Sequence, residues 1–457
     1  MDINSYSSYF FVGIAGTGMS AIAQYLNGIG KQVSGSDRLF STTEKMLSQT
    51  QFEAQGISCY FQDGSGISNQ TDVVIVSTAI EESNIEYQKA LKLNIPIVKR
   101  SELLAAISDS IKTIAVGGTS GKSTTTAMIF HILEKCGKSP SLITGAGLSD
   151  LQDKGLPGNA WNGKGEWLVI ESDESDGSIV NYHPEIALLL NIDRDHKEFE
   201  ELIDLFSIFK SHTKSTFIVN QDFELTRKLS QDIKNDFGTQ NNAGITGSNF
   251  EQKGFSINFQ IDGKNCVVPL IGRHNMENAL AAIAAAKAVG ISLNDAINAL
   301  ADFKGIYRRA QLVGSRKDTN QYVIDDFAHN PAEVASAIRA CQTIAPKVIA
   351  YFQPHGFGPL SFMHKELGEM VAKTLRNEDI FLIGDVYYAG GTVDKNISPV
   401  IVSDAINKTG KNAKFVGNKQ QALKAILEEL NNNTVILTMG ARDPKLDVFA
   451  KEIFEAL

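Results

Sequence analysis

Short apolar runs recur along this chain, each followed by a polar or glycine-rich loop and then by a stretch with helical spacing. The first, Tyr9-Phe10-Phe11-Val12, leads into Gly13-Ile14-Ala15-Gly16-Thr17-Gly18 and a helical pattern from Met19 to Leu26. Gln32 to Asp37, Val73 to Ser77 and Ile95 to Val98 continue the series. Strand candidates alternating with helices predict a parallel, Rossmann-like sheet that ends near Ser108. A second series opens at Ile111 with the strand Ile114-Ala115-Val116 and continues with Trp167 to Ile170 and Ile186 to Leu190. Phe255 to Phe259 and Asn265 to Leu270 flank Asp262-Gly263, the signature of a hairpin, so this domain is expected to carry a mixed sheet. A helix is predicted from Asn275 through Ala286. The third series places strands at Tyr322 to Asp325, Val348 to Phe352, Ile380 to Ile383, Ala413 to Val416 and Val435 to Met439, with a last helix near Leu446 to Phe454. The pattern predicts an α/β chain of three domains, 1–108, 109–313 and 314–457, the first and last Rossmann-like.

Composition narrows the function classes. A length of 457 residues leaves room for several domains. The net charge of −9 argues against wrapping a nucleic acid, which calls for a basic face. No apolar run reaches the roughly 18 residues that mark a membrane span, and the N-terminus lacks the basic stretch of a signal peptide. Cys59, Cys136, Cys266 and Cys341 are scattered, without a C-x-x-C pair. Together these features favour a reduced, cytoplasmic setting.

The strongest chemical signal is Gly118-Thr119-Ser120-Gly121-Lys122-Ser123-Thr124-Thr125-Thr126, between a strand and a helix. Such a loop points backbone N–H groups at an anion, and the helix N-terminus adds its positive end. A lysine after the second glycine reaches β/γ-phosphates, and the next hydroxyl binds Mg2+. Val116 stands where the strict pattern has glycine. The chain is therefore expected to bind a nucleoside triphosphate through a central P-loop ATPase domain.

The other candidates carry two readings each. Gly13, Gly16 and Gly18 are spaced G-x-x-G-x-G rather than G-x-G-x-x-G, and Asp37 lies about where a ribose-binding carboxylate would sit; a tight strand–helix turn with a capping Asp accounts for them equally. Glu171-Ser172-Asp173-Glu174-Ser175-Asp176 directly follows a strand, where carboxylates suit Mg2+ or Mn2+, although a solvated acidic loop is the ordinary fate of such a run. Asn191-Ile192-Asp193-Arg194-Asp195-His196 also follows a strand; His196 could ligate a metal, orient a phosphate or be structural. Asn275 could cap a helix, or act with Asn278 to read a purine edge. Arg308 and Arg309, near the second domain boundary, could neutralise a phosphoryl group or be solvated.

Taken in order, these residues resemble the Mur ligases, the ATP-dependent amide-forming enzymes of peptidoglycan synthesis, and within them the alanine-adding branch. The likeness runs through FVGIAGTGMSAIA (11–23), VSGSD (33–37), VVIVSTAI (73–80), GTSGKSTTTAM (118–128), ESDESD (171–176), NIDRDH (191–196), GRHNMENA (272–279), RR (308–309), DDFAHNPAEV (325–334) and FQPH (352–355). It implies a UDP-substrate domain, a central ATPase domain and a mobile C-terminal domain that takes the amino acid. The implied reaction forms an acyl phosphate on the lactyl carboxylate of UDP-N-acetylmuramate, which an amine then captures, releasing ADP and phosphate.

By matching position, Gly118, Thr119, Ser120, Gly121 and Thr124 would cradle ATP. Lys122 would hold the β/γ-phosphates and Ser123 the first Mg2+. Glu171 and His196 would hold a second Mg2+. Asn275 and Asn278 would contact adenine. Arg309 and Asp326 would reach the nucleotide after closure, and His329 would sit near the substrate phosphate or carboxylate. Gly13, Gly16, Thr17, Gly18, Ser36, Asp37 and Ser77 would bind the UDP moiety. A cytoplasmic monomer or weak homodimer is implied, serving cell-wall biogenesis, cell shape and division.

The chain departs from the family pattern at Ser120, where His or Asn is usual. It also departs at Gly356, where the alanine ligases have arginine, at Phe327, where they have tyrosine, and at Arg442, where they have glycine. The last three fall in the third domain, which selects the amine, so a different amino donor, or a murein-peptide recycling ligase, stays open. A catalytically silent sensor of ATP or UDP-sugars is the alternative from another class.

Overall fold

The computed structural model describes residues 2–193, 198–240, 242–388 and 396–457. They form two compact units, one of Met1–Ser248, Gln260–Cys266 and Glu277–Ile306, the other of Asn249–Phe259, Val267–Met276 and Tyr307–Leu457. The first unit opens with β1 (Ser8–Val12), β2 (Gln32–Asp37), β3 (Ser58–Phe61), β4 (Val73–Val76) and β5 (Ile97–Lys99). Their order is β3-β2-β1-β4-β5 and every pairing is parallel. The helix Thr17–Gly28 starts inside the glycine loop that follows β1.

A second sheet in this unit comprises β6 (Lys112–Gly117), β7 (Ser141–Ile143), β8 (Ala160–Trp161), β9 (Trp167–Glu171), β10 (Ile186–Leu189) and β11 (Thr216–Val219), ordered β11-β10-β6-β9-β7-β8. The sheet is mixed because β8 runs antiparallel to β7; the hairpin on which the expectation of a mixed sheet rested lies in a separate sheet. β6 lies between β10 and β9, so the loop that leaves it is flanked by the carboxyl ends of two further strands. A four-stranded sheet follows, formed by β12 (Phe237–Gly238), β13 (Ile245–Lys253), β14 (Ser256–Ile261) and β15 (Lys264–Val268). The turn between the last two has Asp262 at φ +49° and Gly263 at φ +74°, the left-handed pair of a type I′ hairpin.

The second unit is built on β16 (Gln311–Arg316), β17 (Gln321–Asp326), β18 (Lys347–Phe352), β19 (Ile380–Gly384), β20 (Ala413–Gly417) and β21 (Thr434–Met439), ordered β16-β17-β21-β18-β19-β20. β16 is antiparallel to β17 and the remaining pairings are parallel. Alternate residues enter two cores. Ile324, Val348, Ala350, Phe352 and Leu437 pack with the helices Pro331–Gln342, Phe357–Thr374 and Val400–Asn407. Val323, Ile349, Tyr351 and Ile436 pack with Lys419–Glu429 and Leu446–Ala456. Burial on both faces is why these strands read as unbroken apolar runs. The chain leaves β18 for one face and the adjacent β21 for the other, which makes their carboxyl ends a topological switch point, where ligands gather in open α/β sheets. Among the described residues no helix is long and apolar enough to cross a membrane.

Candidate active site

β6 delivers the chain into Gly118-Thr119-Ser120-Gly121, and the helix Lys122–Lys135 starts at once. Gly118 has φ +136° and Gly121 φ +85°. A Cβ at 121 would stand 2.6 Å from Asn278 Oδ1, and one at 118 would stand 3.2 Å from the Asn191 amide, so both glycines answer backbone geometry as well as close packing. Asn191, at the end of β10, fastens the loop. Its Oδ1 accepts from Thr119 Oγ1 and the Ser120 amide, both at 2.8 Å, and its Nδ2 donates to the Ser120 carbonyl at 3.0 Å. The Asp193 amide adds a bond to Thr119 Oγ1 at 2.9 Å. Asn278, buried, accepts from Thr125 Oγ1 at 3.2 Å just beyond Thr124. With the loop held this way, the unpaired N–H groups of the helix start form an anion-binding end.

Lys122 Nζ donates to the Gly118 carbonyl at 2.7 Å and to Glu174 Oε2 at 2.8 Å. The lysine side chain is 13% exposed and the glutamate 5%. Burial alone would lower the ammonium's pKa, but Glu174, Asp173 and Glu171 outweigh it and hold the pKa raised, so the group stays charged. An ammonium has three donors, of which two are used here and one is left for a phosphate oxygen. Asp173 is held below the usual carboxylate range: burial pushes it up, but Lys122, Ser175 and Arg100 pull it down.

Ser123 and Glu171 come together. Ser123 Oγ lies 2.9 and 3.0 Å from the two Glu171 oxygens, and Oε2 also accepts from Thr144 Oγ1 at 3.1 Å and the Gly145 amide at 2.9 Å. Such a hydroxyl–carboxylate pair of hard oxygen donors beside a phosphate loop fits Mg2+. Among the described residues no group of three or more His, Cys, Asp and Glu side chains is arranged for a metal, and His196 lies outside the described residues.

In the first sheet, the Gly13 and Ile14 amides donate to the Ser36 carbonyl at 2.8 and 2.9 Å, and the Gly16 amide to the Gly13 carbonyl at 3.1 Å. The Asp37 carboxylate accepts from the Ala15 and Leu39 amides at 3.2 and 3.1 Å, so it braces both glycine loop and strand end. The Thr17 carbonyl accepts from Asn159 Nδ2 at 2.8 Å. Gly18 lies against Arg100, which pairs with Asp176 at 3.2 Å. The Ser77 carbonyl turns the loop after β4 by accepting from the Ile80 amide at 3.1 Å. Ser36 Oγ donates to Glu86, a wholly buried carboxyl on the helix Ile85–Lys92 that the sequence reading passed over.

In the second unit, Arg308 is buried, with Nε 2.7 Å from Asp325 Oδ2 and Nη2 2.8 Å from the Gly440 carbonyl, a structural clamp rather than an exposed cation. Arg309 lies over the Phe327 ring at 5.0 Å. Asp326 accepts from the Ala310 and Ala328 amides at 2.6 and 2.7 Å, and burial pushes its carboxyl up to about 6 against the pull of Arg309. His329 Nδ1 lies 3.2 Å from Glu333 Oε2, and its ring packs edge-on against His355. Burial works against the Glu333 charge, yet His329 holds the carboxyl well below its ordinary range. Asn275 is not a helix cap: the helix starts at His274, and Asn275 Nδ2 donates to the Ile271 carbonyl at 2.7 Å from within the first turn.

Three α/β domains, one with a phosphate loop whose lysine and serine face a run of carboxylates, define an ATP-dependent ligase architecture. The chain belongs to the Mur ligase family. Its residues 8–112 match the Mur ligase family, catalytic domain, residues 116–286 the Mur ligase middle domain, and residues 308–442 the Mur ligase, glutamate ligase domain. Among its relatives are the proteins named UDP-N-acetylmuramate--L-alanine ligase of Syntrophomonas wolfei, 33% identical over 94% of both chains, and of Dictyoglomus turgidum, 34% identical over 94% of this chain and 93% of that one. The crystal structure of the UDP-N-acetylmuramate-alanine ligase of Thermotoga maritima superposes with a TM-score of 0.81 at 26% identity, covering 98% of each chain. A murein peptide ligase of Psychrobacter arcticus shares the fold at a TM-score of 0.68 and 20% identity, again over 98% of each chain.

Proposed function

We propose that this chain is an ATP-dependent ligase that joins an amino acid, L-alanine first, to the lactyl carboxylate of UDP-N-acetylmuramate, in peptidoglycan synthesis in the cytoplasm. The observation that carries the reading is relatedness of about a third over nearly the whole chain to proteins of that name. The phosphate-loop geometry supports it. Residues 1–108 would take the UDP-substrate, 109–313 the ATP and 314–457 the amino acid.

The carboxylate attacks the γ-phosphate, ADP leaves, and the resulting acyl phosphate is attacked by the donor's neutral amine with loss of phosphate and of the amine's proton. Anions meet anions at the first step, so the step demands charge neutralisation. Lys122 keeps a free N–H for a phosphate oxygen, and the start of the helix Lys122–Lys135 adds backbone N–H groups. Ser123 would hold one Mg2+ or Mn2+ and Glu171, with His196 by motif, a second; such ions would supply further charge neutralisation. Asn275 and Asn278 would take adenine, Arg309 and Asp326 the nucleotide, and His329 the transferring phosphate or the carboxylate. Gly13, Gly16, Thr17, Gly18, Ser36, Asp37 and Ser77 would line the UDP site. A monomer or weak homodimer is the assembly this reading carries.

The test supplies UDP-N-acetylmuramate, ATP and Mg2+ with a panel of amino acids and peptides, reading phosphate release. Strong release with L-alanine is expected. Release with a tripeptide but not L-alanine would transfer the chain to a recycling role, which the departures at Phe327, Gly356 and Arg442 favour as the second reading. A silent panel would leave the sensor.

A further inference from the structure

Arg442 stands on the loop after β21, at the switch point between the carboxyl ends of β21 and β18. Those ends are in register, Met439 opposite Phe352, so the loop carrying Arg442 and the loop carrying His355 and Gly356 leave the sheet edge side by side. The backbone around Arg442 is anchored. Gly440 has φ +149°, and a Cβ there would stand 2.8 Å from the Gln353 carbonyl oxygen. The Gly440 carbonyl is held by Arg308 Nη2 at 2.8 Å, and on the other side buried Asp443 pairs with Lys419 Nζ at 2.8 Å. Between these anchors Arg442 adopts φ +65°, a left-handed conformation uncommon for a side chain other than Gly, Asn or Asp. Such strain, held by its surroundings, clusters at ligand sites.

The charge state of the edge points the same way. Arg308 is neutralised by Asp325, and Lys419 by Asp443. The Arg442 side chain is exposed and, among the described residues, takes part in no ion pair or hydrogen bond. An uncommitted guanidinium on a rigid loop offers a planar pair of N–H donors matched to a carboxylate.

We propose that Arg442 binds the α-carboxylate of the incoming amino acid and thereby selects a free acid as donor. The assignment rests on the ligase reading above, and within it names the grip on the second substrate.

The experiment compares wild type, Arg442→Gly and Arg442→Lys in phosphate release, with L-alanine or L-alaninamide as varied donor and UDP-N-acetylmuramate and ATP saturating. Glycine is relaxed at φ +65°, so Arg442→Gly should keep the wild-type Tm. The expected result is a KM for L-alanine raised about 100-fold, KM for ATP and UDP-N-acetylmuramate unchanged, and the preference for acid over amide lost. Arg442→Lys should fall between, because it keeps the charge and loses the fork. An unchanged KM for L-alanine, or an equal loss for acid and amide, overturns the assignment while leaving the ligase reading intact. If the wild type releases no phosphate with any amino acid, the ligase reading falls and this assignment falls with it.

Discussion

The phosphate loop of the first unit and the strand-end cluster of the second solve opposite problems. Around Lys122 the groups are committed: the ammonium sits between Glu174 and the Gly118 carbonyl, Ser123 lies on Glu171, and Asn191 laces the loop. At the ends of β17, β18 and β21, Arg308 and Asp325 form a closed pair while Arg442 stays open. The lesson is that the loop we assign to phosphate is tied down by its own side chains, whereas the edge we assign to the donor keeps a guanidinium uncommitted. The residues that depart from the family pattern, apart from Ser120, lie on that second edge.

The comparison can be broken at the cradle first. Lys122→Ala should cut turnover about 1000-fold or more while leaving UDP-substrate affinity unchanged. It also strands Glu174 without its cation, which should cost about 3 kcal/mol in thermal or denaturant unfolding. The double variant with Glu174→Gln should recover much of that stability and none of the turnover. If the single variant keeps both Tm and turnover, the cradle is not what the geometry says. Glu171→Gln should lower turnover about 100-fold and raise the Mg2+ concentration at half-maximal rate, because one hard anionic donor becomes neutral; an unmoved Mg2+ titration would count against the oxygen pair. Asn191→Ala removes the loop's fastener and should weaken ATP about tenfold, read by calorimetry, with the UDP-substrate unaffected.

The smallest effects concern pH in the second unit. Burial raises Asp326 to about 6 and lowers His274 to about 4. The folded state therefore binds the Asp326 proton more tightly than the unfolded chain does. Its contribution is full below about pH 4 and is lost as pH rises to about 6. His274 has the opposite sign: its folded pKa is depressed, so its contribution is present above about 6.5 and is lost as pH falls towards 4. The two offset each other in wild type. Asp326→Asn should make Tm climb with pH across this window, and His274→Gln should make it fall. Parallel profiles for all three proteins would contradict the assigned burial.

Much of this was legible in sequence, for identifiable reasons. β1, β6, β18 and β21 are apolar on both faces, so three to five residues announce each of them. The two glycines of the phosphate loop encode their left-handed backbone directly. β3 and β13 escaped notice because one lies exposed at a sheet edge and the other, ITGSNFEQK, turns mostly polar residues outward. β11 and β16 passed unpredicted as well, β16 because its residues are all half-buried or exposed. At the site, residue types were readable but partnerships were not. Nothing in the spacing of Ser123 and Glu171, or of Lys122 and Glu174, says that they touch, since those contacts exist only once β6 and β9 lie side by side. Asn191 read only as the head of the NIDRDH run, and only the fold shows it bonded to Ser120. Arg308 and Arg309 read as a pair, yet the fold buries one and lays the other on an aromatic ring.

The account's central claim is that ATP activates the substrate carboxylate as a mixed anhydride with phosphate. The most direct measurement labels the lactyl carboxylate of UDP-N-acetylmuramate with oxygen-18 and analyses the inorganic phosphate released during L-alanine addition. One label transferred to each phosphate is the predicted result. Phosphate free of label, formed alongside the amide product, would contradict it.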